Sequence, residues 1–302
     1  MVSLWLIIKS KIQRKPLPAD ITLAELKEKW AAEHYRRLTN SGANGYEYAW
    51  SKIPQEMREK PFLDLKWADW QAVVTGLREA GKCFYTQKRI KNFCGQMYKF
   101  AIRHELCERN YAPMIEMSKN IPVREKTVYT DAEIRTLLEH CDDYNVKMIL
   151  LLIFTGVRIS ELLRIKPAED VFMDDGYFVV RRSKTVAGTN RPIPIHKVLV
   201  PIFEYFISQD NEYLVTNKYG EQLSYTAFNS RYRKTLNRLG IKHTIHECRH
   251  TFASLMDEVD ANEMCIRRIL GHVGFGVTKK VYTHKNLKQL FEAMALLEEK
   301  YK

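Results

Sequence analysis

Four short stretches in the second half of the chain carry side chains that could bind a phosphate group or attack it. They are TGVRISELL, SKTVAGTNR, HECRH and LGHVGFGVTKKVYTH, and their candidate site residues are Arg158, Lys184, His246, Arg249, His272 and Tyr282. A guanidinium presents a planar fork of donors that matches two phosphate oxygens, and an imidazole adds a further donor. A tyrosine hydroxyl, with a usual pKa of about 10, needs cationic neighbours to act as a nucleophile. In combination these side chains predict phosphoryl transfer to a tyrosine.

Each stretch also has a purely structural interpretation. Arg158 could pair with Glu161 three residues further along a helix surface, and Lys184 could be a solvated turn residue. His246 could be satisfied by the backbone at the start of a helix, and Tyr282 is one of 16 tyrosines. Taken one at a time, the stretches do not decide between the two interpretations. Their occurrence together, in one order, favours the phosphate pocket.

Cofactor and metal motifs are missing from the sequence. Neither G-x-x-x-x-G-K-[ST] nor G-x-G-x-x-G occurs, and no carboxylate cluster suggests a metal site. The six cysteines form no CxxC pair, which indicates a reduced interior. We therefore expect no cofactor and no metal.

The elements that must position the candidate residues are mainly helices. Capping boxes at Thr22 with Glu25 and at Thr130 with Glu133 predict two helix starts. Apolar periodicity predicts further helices at about 67–80, 86–106, 146–155, 198–208, 224–239, 246–257, 262–270 and 286–300. The one clear strand signal is YFVVRRS followed after a turn by RPIPI, which predicts one small antiparallel β-sheet.

Length and charge suggest two domains that meet a polyanion. A chain of 302 residues exceeds one typical domain, and its net charge of +12 favours contact with phosphates. We predict a lead-in at 1–19, a helical domain at 20–118, a polar linker at 119–129 and a second domain at 130–302. The last of these ends in a helical segment at 286–302. The first residues place a short apolar run before their positive charges, which is not the order of a signal peptide.

The motifs TGVRISELL, HECRHTFAS, LGH and VYTH, in this order and spacing, resemble those of the tyrosine recombinase (phage-type integrase) family. The resemblance covers about 130–302. Within the family, the chain is similar to integrases of prophages and conjugative transposons. Residues 20–115 resemble, more loosely, the core-type DNA-binding domain of that family. The resemblance implies a mainly α fold, with a helical N-terminal DNA-binding domain before an α+β catalytic domain that is mostly helical.

The resemblance also implies a role for each candidate residue. Tyr282 would attack a DNA phosphate and form a 3′-phosphotyrosyl link, while Arg158 and Arg249 would hold the non-bridging oxygens. The three remaining candidates would assist: His272 by a hydrogen bond to the phosphate, Lys184 as general acid on the leaving 5′ oxygen, and His246 in proton transfer or phosphate orientation. Neither ATP nor a metal is needed, because the phosphotyrosine conserves the bond energy.

The family further implies partners and a location. The expected partners are double-stranded DNA recombination sites and further copies of the chain, which would form a dimer to tetramer on DNA. The expected location is the bacterial cytoplasm, in association with the nucleoid, and no membrane partner is expected. An accessory DNA-bending or directionality protein is left open. Residues 1–19 could not form the small arm-binding domain of many integrases. Cys248 stands where the family usually has an aliphatic residue, and we expect it to act as packing.

Two alternative functions are kept beside the site-specific recombinase. A type IB-like topoisomerase would use a similar catalytic set to relax supercoils without exchanging partners. A DNA-binding protein with an inactive site would keep only the electrostatic part of the pattern. The presence of all six expected polar residues argues against the inactive protein.

Overall fold

The structure is a computed structural model that describes residues 17–121, 127–183, 188–272 and 284–301. The chain divides into two compact units, Met1–Arg124 and Glu125–Lys302. It is 61% helical with one three-stranded antiparallel sheet, so the predicted fold class is confirmed. In the described ranges, no helix combines the length and the apolar run that crossing a bilayer requires.

The first unit is a set of helices around one aromatic core. Its helices are α1 (Leu23–His34), α2 (Asn40–Trp50), α3 (Gln55–Glu59), α4 (Trp67–Glu79) and α5 (Phe84–Arg103). The predicted capping box starts α1: the Thr22 hydroxyl accepts from the Glu25 N–H at 3.2 Å, and the Glu25 carboxylate accepts from the Thr22 N–H at 2.9 Å. The rings of Trp30 and Trp70 both pack against Phe93.

The second unit places a small sheet beside a helical core. Its elements are α6 (Asp131–Glu139), α7 (Tyr144–Thr155), α8 (Ile159–Leu162), α9 (Pro167–Asp170), β1 (Val171–Phe172), β2 (Tyr177–Val180), β3 (Arg191–Pro194), α10 (Val200–Ile207), α11 (Tyr225–Arg238), α12 (Ile245–Glu258), α13 (Glu263–Leu270) and α14 (His284–Lys300). The strand order is β1-β2-β3, and Val180 pairs with Arg191. Each predicted helix is present within a few residues of its predicted bounds.

Helix α7 forms the centre of the second unit. Its residues 146–155 are all buried, which explains the near-continuous apolar run that the sequence shows there. Helix α14 is fixed to the same unit, because the Tyr301 hydroxyl donates to the Asp131 carboxylate at 2.7 Å. Apolar side chains of α14, including Leu290 and Leu297, lie in the core.

Candidate active site

Arg249 bonds to the two turns that precede the candidate residues Arg158 and His272. It lies in the second turn of α12 and is buried, with 6% of its surface exposed. Its Nη1 donates to the Gly156 carbonyl at 2.8 Å, and its Nη2 donates to the Leu270 carbonyl. These carbonyls stand at the C-terminal ends of α7 and α13, where unpaired acceptors and the helix dipole favour a cation. Arg249 therefore holds together the turn before Arg158 and the turn before His272.

The turn after α7 requires a glycine. Gly156 has a φ of +64°, in the left-handed region that other residues rarely adopt. A Cβ at this position would lie 2.4 Å from Cδ1 of Phe252, which is fully buried in α12. The chain can therefore end α7 and place Arg158 at the N-cap of α8 only with glycine here.

Arg158 pairs with Glu161, as the structural interpretation predicted, but the pair does not lie on the surface. Arg158 Nη1 donates to Glu161 Oε1 at 2.9 Å, and the Arg158 N–H donates to Oε2 at 2.9 Å. Glu161 is only 2% exposed and also accepts from Arg191 Nη2 at 2.7 Å. The pairing therefore orients Arg158, which itself is about a quarter exposed, and is compatible with a phosphate pocket.

The carboxylate at the centre of this arrangement stays ionised. Burial acts to raise the pKa of Glu161, but the hydrogen bond and charge of Arg191, the hydroxyl of Ser183 and the N–H of Arg158 lower it to about 2. Ser183 Oγ donates to Glu161 at 2.6 Å and accepts from Arg158 Nη1 at 3.4 Å. Glu161 is thus a fixed anion on which the surrounding donors are ordered.

Positive charge is in excess around Glu161. Three guanidiniums, those of Arg158, Arg191 and Arg249, surround this one carboxylate, and three positive charges less one negative charge leave two. Burial, together with the charges of Arg158 and Arg191, lowers the pKa of Arg249 to about 9, so it remains charged at neutral pH. An anion such as a phosphate would neutralise this excess.

Of the two candidate histidines, His272 lies beside the cationic cluster, and His246 lies one helical turn from Arg249. His246 is exposed in the first turn of α12, and its ring makes an edge contact with His250 at 4.7 Å between centroids. His272 follows the left-handed Gly271 that ends α13. Partial burial and the charges of Arg249 and Arg158 lower the pKa of His272, so its imidazole is neutral at neutral pH. A neutral imidazole supplies one ring donor and one ring acceptor.

Two predicted site residues, Lys184 and Tyr282, lie outside the described residues. The structure therefore brings Arg158, Arg249 and His272 together, with His246 one helical turn from Arg249. Sequence reasoning missed the parts that Glu161 and Arg191 play, since the two residues are 30 positions apart and carry no shared motif.

Cys248 is fully buried, as expected of a packing residue, 3.5 Å from the Tyr232 hydroxyl. Among the described residues, no group of three or more His, Cys, Asp or Glu side chains could hold a metal ion.

Known proteins resemble this chain in sequence and in fold. Residues 127–289 match the model of the phage integrase family. The chain is 32% identical to the tyrosine recombinase XerA of Pyrococcus furiosus, over 67% of this chain and 71% of that protein. A lambda integrase tetramer bound to a Holliday junction has the same fold, with a TM-score of 0.73 at 18% identity over 92% of this chain and 88% of the other. The Tn1549 transposon integrase in complex with a circular intermediate DNA gives a TM-score of 0.73 at 18% identity, over 90% of this chain and 99% of that one.

The chain therefore belongs to the phage integrase family of tyrosine recombinases. It is a site-specific recombinase, an enzyme of the DNA strand transferase type, and the resemblance inferred from the four motifs is confirmed. The family match does not favour the type IB topoisomerase or the inactive DNA-binding protein.

Proposed function

We propose that this recombinase cleaves and rejoins double-stranded DNA through a covalent 3′-phosphotyrosyl intermediate on Tyr282. The observation that supports the proposal most directly is the convergence of Arg158, Arg249 and His272 around an excess of positive charge. Such a cluster stabilises the charge that develops on a phosphate during attack. In the sequence, Tyr282 stands two positions before α14, which is fixed to the same unit.

The covalent chemistry divides between three side chains. The Tyr282 hydroxyl oxygen forms a bond to phosphorus while the bond from phosphorus to the 5′ oxygen breaks. Lys184 donates a proton to the leaving 5′ oxygen, and His246 assists transfer of the phenolic proton or orients the phosphate. A 5′-hydroxyl of the partner strand then attacks the phosphotyrosine and regenerates the free tyrosine.

The stabilising part of the site consists of the two arginines and His272. Arg158 and Arg249 bind the non-bridging oxygens, and the hydrogen bonds that already fix both guanidiniums reduce the reorganisation needed during the reaction. His272 donates a further hydrogen bond from its neutral ring. The attacking, binding and protonating groups are all protein side chains.

The first unit serves as the core-type DNA-binding domain in this proposal, with 119–129 as the linker to the catalytic domain at 130–302. Basic side chains on α5, among them Lys88, Arg89 and Lys99, are exposed, and Arg89 lies over the exposed ring of Tyr48 at 5.2 Å. Such a surface can contact phosphates of duplex DNA.

The known integrase structures support assembly on recombination sites, since lambda integrase is a dimer on a core site and a tetramer on a Holliday junction. We expect this chain to form the same range of oligomers, in the bacterial cytoplasm with the nucleoid. An accessory DNA-bending or directionality protein would join the assembly at some sites.

The test begins with covalent capture of DNA. Genomic fragments that flank the gene are nicked, incubated with the wild-type chain, and recovered as protein–DNA adducts. Tyr282→Phe should capture none, because a phenyl ring has no oxygen to form the ester, and Lys184→Ala should capture slowly. An adduct on Tyr282→Phe would assign the nucleophile elsewhere. Relaxation of any supercoiled plasmid without joining of two defined sites would instead indicate a topoisomerase.

A further inference from the structure

A buried arginine outside the proposed catalytic set connects three segments of the active site. Arg191, the first residue of β3, has no exposed surface. Its Nε donates to the Ile269 carbonyl at 2.7 Å, and its Nη1 donates to the Gly188 carbonyl at 2.6 Å. Its Nη2 donates to Glu161 Oε2 at 2.7 Å, with a longer bond of 3.4 Å from Nη1 to Oε1. A buried guanidinium is tolerated only when its charge and donors are satisfied in this way.

Each of the three segments leads to a residue of the proposed machinery. The carboxylate that accepts two of these bonds also holds Arg158. The Gly188 carbonyl stands four positions after Lys184, and the Ile269 carbonyl stands three positions before His272. We propose that Arg191 is a positioning residue that sets the placement of Arg158 and His272 relative to one another. The inference rests on the proposed function, since it concerns how that site is held.

The surroundings of Arg191 leave little room for another arrangement. A Cβ on Gly271 would lie 2.7 Å from the Gly188 Cα and 3.2 Å from Arg191 Nη1, so the two glycine segments are in direct contact around the guanidinium. A Cβ on Gly188 would lie 2.3 Å from the Ser183 hydroxyl. Lysine has a single terminal nitrogen and cannot donate in three directions from one plane. The site is therefore fitted to the arginine fork.

Arg191 also controls the charge that holds Arg158. The positive groups that face Glu161 are Arg158 on its own turn, Arg249 of α12 and Arg191 of β3, and Ser183 adds a hydroxyl donor. Among them Arg191 contributes most to keeping this carboxylate ionised. Without Arg191, burial would raise the pKa of Glu161, and the protonated carboxyl would hold Arg158 less well. Loss of Arg191 should therefore add a further loss of cleavage at low pH to that of the wild type.

The experiment uses the full chain and a nicked duplex whose sequence comes from the adducts captured by the wild-type chain. Arg191→Met removes the donors and keeps the length of the side chain, and Arg191→Lys keeps the charge. Arg181→Met is the matched control, because Arg181 pairs with the buried Asp170 at 3.1 Å in the same part of the unit. Folding is checked by thermal melting, DNA affinity by fluorescence anisotropy, and cleavage by single-turnover adduct formation from about pH 8 to about pH 5, where buried carboxyls titrate.

The expected result is a loss of cleavage on the order of 100-fold for Arg191→Met, the effect of a small misplacement of catalytic groups. DNA affinity should stay within about twofold, because Arg191 is buried and bonded to protein. Expressed as a fraction of wild-type cleavage at the same pH, which removes the titration of His272 common to both chains, the activity of Arg191→Met should fall further as the pH falls, whereas that of Arg181→Met should stay constant. For the double variant Glu161→Gln with Arg191→Met, this fraction of wild-type cleavage should not change with pH, since the titrating carboxyl is gone.

Several outcomes would overturn the inference. They are a folded Arg191→Met that cleaves like Arg181→Met at every pH, or a fraction of wild-type cleavage that still falls with pH in the double variant. If Arg191→Met does not fold, Arg191→Lys is judged by its loss of cleavage at unchanged affinity. If neither folds, Arg191 serves stability alone and the inference fails. If the wild-type chain forms no adduct, the proposed function fails before Arg191 is tested.

Discussion

Replacement of Gly156 by alanine tests how tightly the turn after α7 is fitted to the active site. The new Cβ would lie 2.4 Å from Cδ1 and 2.8 Å from Cγ of Phe252, and 2.9 Å from Cδ2 of Leu270. Phe252 is fully buried and Leu270 is 3% exposed, so neither can move into solvent. The Gly156 carbonyl accepts from Arg249, so displacement of the turn would also displace a proposed phosphate ligand.

Two costs add in Gly156→Ala. A φ of +64° costs a non-glycine residue about 1 kcal/mol, and overpacking a core costs about 1–3 kcal/mol. The sum is about 3 kcal/mol, which lowers the melting temperature of a unit of this size by roughly 6–12 °C. Cleavage should fall on the order of 10- to 100-fold through the shift of Arg249.

Gly240→Ala is the matched control. Gly240 has a φ of +71°, but a Cβ there would meet no atom within 4 Å. The control therefore carries the backbone strain alone, about 1 kcal/mol, or roughly 2–4 °C. Calorimetry on both variants, with adduct formation on the captured substrate, gives the comparison. Equal loss of stability in the two variants would show that the contact with Phe252 can relax, and the reasoning would be wrong.

Three further predictions concern single side chains. Arg158→Lys keeps the charge but loses the fork that can serve Glu161 and a phosphate together, so single-turnover cleavage should fall about 100-fold with DNA affinity retained. Because the pKa of His272 is lowered, the folded chain binds fewer protons than the unfolded chain as the pH drops below about 6.5. The free energy of unfolding should therefore decrease as the pH is lowered through this range, and His272→Gln should make that decrease smaller in urea titrations. Cys248→Ala should cost about 1 kcal/mol in urea unfolding by opening space beside Tyr232, with adduct formation unchanged.

Each of these predictions has a contrary result. Unchanged cleavage by Arg158→Lys would mean that one point charge suffices at this position. Parallel stability curves for the wild type and His272→Gln would show that His272 titrates as it does in the unfolded chain. A loss of cleavage in folded Cys248→Ala would give the thiol a part in aligning α12.

Sequence patterns predicted the local structure well where it depends on neighbours along the chain. The capping boxes at Thr22 and Thr130 form as predicted, because both partners lie within one helical turn. Helix α2 was not predicted, since NSGANGYEYAW contains two glycines and weak helix formers. Packing of Trp50 against Phe93 of α5 is a tertiary contact that sequence periodicity does not reveal. Strand β1, only two residues long, exists through its pairing with β2.

The sequence by itself determined which side chains could meet a phosphate, their order, and the family to which they belong. His246 and Arg249 share one face of α12 because they are three residues apart, which is a local property of a helix. Only the tertiary structure decided the partners: Arg249 reaches the Gly156 carbonyl across 93 positions, and Arg191 reaches Glu161 across 30. Such contacts depend on how helices and the sheet pack, and burial then turned a common arginine–glutamate pair into a fixed support for the site.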